Sequence, residues 1–239
     1  MTSSEVKIQN DSVIPLYDYQ DLNFIDYSYD RKNCDESFFF KLGLTIPEKL
    51  QSAITKRRIE FLAGRYCAQE ALRKFGIETK SSLPVGQNRA PQWPNGYIGS
   101  ITHTHNYAAA IVAKSSEWKS VGLDSEVVVE QSKPALINHI CVGDEFDRLC
   151  EHTSLPSTEV FTFIFSAKES LFKALNPISK TFFGFQKACI ESVDMASNTF
   201  TIKLLTDLNE ELTNGLVFSG YFQKSESRYT TVILVGSQI

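Results

Sequence analysis

The sequence predicts an α+β protein built from two similar subdomains, and three observations carry that prediction. Two long stretches, residues 45–76 and 159–175, repeat apolar residues with helical spacing. Each is followed by short runs rich in β-branched and aromatic residues that alternate like strands. The order of long helix, strands, long helix, strands then reads as an internal duplication. Its halves are residues 1–117 and 118–239, with a boundary near Glu117.

Taken in order, residues 1–44 read as irregular structure and short strands, rich in aromatics and ending in FFFKLGL. Thr45-Ile46-Pro47-Glu48 reads as a capping box with proline early in the helix, because Thr and Glu three apart can each satisfy an orphan N–H. Helical spacing continues through KRRIEFLAGRYCAQEALRKF and stops at Gly76, a C-terminal cap. Pro84, Gly86, Pro91 and Pro94 mark a loop, and Asn95-Gly96 a turn. YIGSITHT, YAAAIVAKS and VGLDSEVVV follow as three strands. A polar segment, the helical stretch DEFDRLC and the second long helix come next. The tail holds four strands, FQKACIESV, TFTIKLL, VFSGYFQ and YTTVILV.

With 239 residues the chain can bury a real core, and 42% apolar with 22% charged residues is the composition of a soluble globular protein. A formal net charge of −4 argues against non-specific nucleic-acid binding, which needs surplus Lys and Arg. The first residues, MTSSEVKIQNDSVIPLYDY, lack the basic and apolar regions of a secretory signal, and no apolar run is long enough to span a membrane. Cys34, Cys67, Cys141, Cys150 and Cys189 are odd in number and widely spaced. They read as reduced thiols of a cytoplasmic protein.

Both long helices place cations where core is expected. At about 100° per residue, Phe161, Ile164, Phe165, Leu171, Phe172 and Leu175 share one arc, with Lys168 in its middle and Glu169 at its edge. Lys173 falls on a polar flank with Thr162 and Ser166. On the first helix, Ile54, Phe61, Leu62, Ala68 and Leu72 form the arc, and Arg58 and Arg65 project from the same side. A buried cation must meet an anion. Either the side chains snorkel to the rim or pair with internal carboxylates, or the anion is a ligand, phosphate being the usual one, held between the subdomains.

Asp124 and Glu126, two apart on a strand, project from one face among apolar neighbours. Two such carboxylates repel unless a cation shares them. With Glu169 they offer three hard oxygen ligands of the kind that suit Mg²⁺ together with phosphates; the alternative is a strand that ends in solvent. His103 follows Ser100-Ile101-Thr102 at a strand end and is either structural or a donor to phosphate. With His105 it has no partner spacing for zinc. The sequence has no G-x-S-x-G, P-loop or G-x-G-x-x-G.

RRIEFLAGRYCAQEAL, NRAPQWPNGYIGSITHT, VGLDSE and FSAKESLFKA, in this order and spacing, resemble the Sfp-type 4′-phosphopantetheinyl transferases, and within them the enterobactin-synthase component D branch. The likeness covers about residues 45–185, and its specific part is Asp-x-Glu followed some forty residues later by Lys-Glu-Ser. It implies two pseudo-twofold α/β halves with coenzyme A at their interface. It also implies that Asp124, Glu126 and Glu169 hold Mg²⁺ against the pyrophosphate. Arg57 and Arg65 match coenzyme-binding positions, with Arg58 the neighbour that could replace Arg57. Arg89 matches the cation ahead of the Trp-Pro pair, and Thr102 and His103 the step that holds the 3′-phosphate region. Lys168 and Lys173 match lysines around the Glu-Ser pair, and Glu145 an acidic position of the intervening helix.

The reaction so implied moves phosphopantetheine from coenzyme A to a serine of an apo carrier protein, peptidyl or aryl carriers being favoured and acyl carriers open, and releases 3′,5′-ADP. Glu169, directly or through a metal-bound water, is the expected base, with Glu145 the alternative, and Lys173 offsets charge on the leaving phosphate. A monomer is expected because the duplication supplies its own interface. Two rival readings stand beside it: a Mg²⁺-dependent phosphodiesterase or nuclease, and a coenzyme-A-binding regulator without turnover.

Overall fold

The computed structural model describes residues 19–30, 34–79, 82–86, 90–225 and 227–237. The chain divides into two compact units, Met1–Lys114 and Ser115–Ile239. Among the described residues of each unit, the first strand pairs with the last, and the helices come between them.

The first unit runs β1 (Leu22–Ser28), α1 (Glu36–Lys41), α2 (Glu48–Gln51), α3 (Thr55–Arg73), β2 (Tyr97–Thr104) and β3 (Tyr107–Lys114). Its antiparallel sheet has the order β1-β3-β2. β2 and β3 form a hairpin whose two-residue turn relies on Asn106 at φ 57°, a left-handed conformation that Asn tolerates. Every β3 residue from Tyr107 to Ala113 is buried, so the strand is covered on both faces. Small residues of α3, Ala63, Cys67 and Ala71, share one core with Ala108, Ala110 and Val112 of β3. A Cβ on Gly64 would stand 2.7 Å from the Ile101 side chain, so glycine lets α3 lie close on β2.

Three local expectations change here. FFFKLGL is not a strand: Asp35 caps α1 by accepting from the Ser37 N–H at 2.6 Å, and Phe39 enters the core. The capping box at Thr45 does not form. Pro47 precedes α2 without a side-chain cap, and Thr45 instead exchanges hydrogen bonds with Ser82. The long helix is also interrupted, because Ile54 is extended (ψ 149°) and 72% exposed rather than part of the apolar arc. Arg58 stabilises the break by donating to the Gln51 and Ala53 carbonyls that end α2.

The second unit runs β4 (Trp118–Val127), α4 (Pro134–Ile140), α5 (Glu145–Thr153), α6 (Ser157–Ser179), β5 (Ala188–Asp194), β6 (Thr199–Leu204), β7 (Val217–Lys224) and β8 (Arg228–Gly236). A single 3₁₀ turn, Phe185–Lys187, precedes β5. The five strands are antiparallel in the order β4-β8-β7-β6-β5. α4 occupies the segment that its polarity marks as a connection. α6 packs on the sheet through Phe163, Ile164, Ala167 and Leu171, with the Phe163 ring 5.4 Å from Phe200 and 5.1 Å from Phe222.

The flank of α6 that reads as polar is buried. Thr162 accepts from the Val129 N–H, and Ser166 and Ser170 both hydrogen-bond the Thr231 hydroxyl of β8, at 2.9 and 3.0 Å. On the other side of the strand pair, Ser125 and Thr230 join their hydroxyls at 2.9 Å. Hydroxyls and aromatics together cover α6 nearly all round. All five cysteines are free thiols.

Candidate active site

In the first unit a cleft of 410 Å³ opens beside α3 and the end of β2, lined by Arg57, Glu60, Phe61, Arg65 and His103 among others. Arg57 Nη1 stands 2.8 Å from His103 Nε2. A guanidinium only donates, so Nε2 accepts and the imidazole carries its proton on Nδ1. Arg65 is 5% exposed, lies 4.7 Å over the Phe61 ring and donates from Nε to the Leu83 carbonyl at 3.1 Å. Burial pulls its guanidinium down to about 10, which leaves it charged at neutral pH. Among the described residues no carboxylate lies within ion-pair distance of it.

In the second unit, Asp124 and Glu126 lie on the face of β4 that meets α6. Gly122, two residues earlier, identifies that face: a Cβ there would stand 1.9 Å from the Ser170 carbonyl and 2.7 Å from the Ala174 amide. Only glycine allows helix and strand to approach so closely. The approach brings Lys173 Nζ to 2.7 Å from Asp124 Oδ1 and 3.0 Å from the Leu123 carbonyl. Burial, then the nearby Asp124 charge, pushes the Glu126 carboxyl up to about 7; Lys173 opposes this and Glu169 adds to it. Burial and Asp124 push Glu169 up as well, again opposed by Lys173. Three carboxylates thus share one ammonium. Among the described residues no three acid, thiol or imidazole side chains are drawn around a common point as an ion's ligands, and Lys173 stands beside Asp124.

The profile of the 4′-phosphopantetheinyl transferase N-terminal domain matches residues 46–113, and that of the 4′-phosphopantetheinyl transferase superfamily matches residues 120–228. Enterobactin synthase component D of Salmonella typhi is 31% identical over 191 residues, 80% of this chain and 78% of that protein. The chain belongs to the 4′-phosphopantetheinyl transferase superfamily. The transferase Npt of Nocardia iowensis is 30% identical over 77% of this chain and 85% of its own. PptT of Mycobacterium tuberculosis is 31% identical over 75% of each.

Within this 4′-phosphopantetheinyl transferase, the other residues singled out in the sequence lie as follows. Arg58 is not an alternative to Arg57: its Nε pairs with Glu36 Oε1 at 2.7 Å, away from the cleft. Thr102 is buried and, as the strand neighbour of His103, faces the opposite side of β2, so its side chain does not join the cleft. Lys168 and Glu145 form a buried ion pair at 2.7 Å, with side chains 1% and 0% exposed. Glu145 is therefore engaged rather than open as a base, and Lys168, which borders the pocket beside Glu169, is spent on this pair. Arg89 lies outside the described residues.

The two buried helix cations thus resolve differently, Lys168 by an internal carboxylate and Arg65 without one among the described residues. Beside Glu169 sits a pocket of 180 Å³ walled by Phe172, Phe182, Phe183 and Phe185, which sequence reasoning missed. Its signal was the Phe-Phe-Gly-Phe run following the second helix. Gly64 and Gly122 were missed too, although glycine inside a helix or strand pattern marks close approach.

Proposed function

We propose that this protein transfers the 4′-phosphopantetheine group of coenzyme A to a serine of an apo carrier protein in a Mg²⁺-dependent reaction. The observation that carries the reading is the cluster of Asp124, Glu126, Glu169 and Lys173 on β4 and α6 in a chain of this superfamily. Peptidyl or aryl carriers of non-ribosomal peptide or siderophore synthesis are the favoured acceptors, since relatives include enterobactin synthase component D. The enzyme so proposed is cytoplasmic and monomeric; no described helix is long and apolar enough to cross a membrane.

The donor set fits Mg²⁺: three hard carboxylates outnumber one ammonium, and burial with mutual repulsion raises proton affinity where a divalent cation would relieve it. Asp124, Glu126 and Glu169 would hold the ion, whose chemistry is to neutralise charge on the coenzyme's pyrophosphate. In the transfer, a bond forms between the carrier serine Oγ and the phosphorus that bears pantetheine, and the bond from that phosphorus to 3′,5′-ADP breaks. Glu169 takes the serine proton; a carboxyl held above its ordinary range is better matched to a base working near neutral pH. Lys173 has three N–H groups and spends two, on Asp124 and the Leu123 carbonyl, which leaves one for the departing phosphate.

Arg57, Arg65 and His103 would bind the coenzyme's nucleotide phosphates, Arg65 as a desolvated cation that no described carboxylate neutralises. Arg89 joins them on the strength of its place ahead of Gln92-Trp93-Pro94. The test is mass spectrometry of apo peptidyl carrier protein incubated with this protein, coenzyme A and Mg²⁺, beside an EDTA control. The expected gain is one phosphopantetheine group, absent with EDTA. Bound coenzyme A with no gain on any of several carriers overturns the proposal in favour of a regulator.

A further inference from the structure

Lys168 donates to three acceptors, the Ile140 carbonyl at 2.8 Å, Glu145 Oε2 at 2.7 Å and the Phe185 carbonyl at 3.2 Å. An ammonium has three N–H groups, so none remains for a ligand. Glu145 is equally engaged: its Oε1 accepts from the Ile190 N–H at 2.6 Å, and its Oε2 from Val142 N–H at 2.9 Å as well as from Lys168. The pair therefore ties the end of α4, the turn before α5, α6, the 3₁₀ turn and β5 at one point.

The four contacts outside the ion pair itself are all to backbone groups, and the one at Phe185 lies at the end of a segment with little regular structure. Residues 180–184 have none. Gln186 adds to the same node: its Nε2, with two N–H groups to give, lies 3.1, 3.0 and 2.7 Å from the Asn138, His139 and Cys141 carbonyls. Lys168 and Gln186 together thus serve the carbonyls left open at the end of α4, and a cation sits where the helix end is negative. The next residue on α6 is Glu169, and Phe182, Phe183 and Phe185 wall the pocket beside it.

We infer that Lys168 and Glu145 are positioning residues for the transfer: they hold the Phe182–Gln186 segment and the turn before α5 in place around Glu169, and neither touches coenzyme or carrier. A buried ion pair adds little stability compared with an apolar replacement, while removal of one partner leaves an uncompensated charge. Here both charges are spent mostly on backbone groups, at the end of α4, in the turn before α5, in the 3₁₀ turn and on the edge strand β5. This inference rests on the transferase reading of Glu169.

The experiment compares kcat for holo-carrier formation with the Kd for coenzyme A in Lys168→Met, Glu145→Gln, the double variant and Gln186→Ala. Each single change in the ion pair is expected to lower kcat on the order of 10²-fold, the penalty for small misplacement of reacting groups. Coenzyme Kd stays within about twofold of wild type, and the double variant is no slower than the worse single one, because the residues act as a unit. Gln186→Ala, at an exposed side chain, lowers kcat a few-fold with Kd unchanged. If the single variants do not fold, the double variant and Gln186→Ala decide by the same two readouts. A Kd raised about tenfold or more by Lys168→Met but not by Glu145→Gln makes the lysine a coenzyme ligand and overturns the inference. Unchanged kcat in the folded variants overturns it too. A wild-type protein that binds coenzyme A but makes no holo-carrier overturns the transferase reading itself, and this inference with it.

Discussion

Arg65→Met separates a ligand-binding cation from a structural one. Burial lowers the Arg65 guanidinium from the ordinary 12.5 to about 10, which at about 1.4 kcal/mol per tenfold is a cost to the folded state of about 3 kcal/mol. The folded protein holds that proton less tightly than the unfolded chain. The cost is therefore present in full at neutral pH and relieved only as pH rises past about 10. Methionine removes the cost and forfeits the hydrogen bond to Leu83, about 1.5 kcal/mol, and the contact with Phe61, about 1 kcal/mol. The ligand-free variant should match wild type within about 1 kcal/mol in urea unfolding, whereas removing one member of a buried ion pair costs about 3–5 kcal/mol. Coenzyme A affinity, measured by titration calorimetry, should fall about 100-fold through loss of a charged phosphate contact. A loss of about 3 kcal/mol or more in the ligand-free protein, with coenzyme Kd unchanged, would refute the reasoning.

Three further outcomes are expected. Gly122→Ala places a methyl 1.9 Å from the Ser170 carbonyl, so α6 must withdraw about 1.5 Å to reach ordinary contact near 3.4 Å, at about 1–3 kcal/mol. That motion carries Lys173 out of hydrogen-bond reach of Asp124, and wild-type kcat in the variant would count against the geometry. Mg²⁺ should raise the melting temperature of wild type and leave Asp124→Asn unmoved; an equal rise in both removes Asp124 from the ion's ligands. Lys173→Met should lower kcat on the order of 10²-fold or more while coenzyme Kd changes far less, and the opposite split would make Lys173 a binding residue only.

Much of the fold is legible from period alone. The hairpin of β2 and β3, the strand bearing Asp124 and the four closing strands fall where alternation places them. α1 is not legible in this way, because three consecutive phenylalanines have no period and the deciding signal is the Asp35 cap. Nor is the break before Thr55, which Arg58 stabilises through carbonyls that sequence does not display. Within the site, helical spacing finds Lys168 and Arg65 as cations in core. Only tertiary structure reveals that one meets Glu145, twenty-three residues away, and the other meets no carboxylate among the described residues. The side-chain pairing of Thr102 with His103 was refutable beforehand, since adjacent strand residues face opposite ways.

The hydroxyl contacts of Ser166 and Ser170 with Thr231 bear on how the enzyme can move. An aliphatic seam between helix and sheet tolerates a slide, because one methyl serves as well as the next. Hydroxyls that must find one particular oxygen do not, and a shift of α6 by one turn would strand all three. The helix bearing Glu169 and Lys173 is thus pegged along its axis like a key in a keyway. Accommodating carriers of different shape falls to the segments around that helix, not to the helix itself.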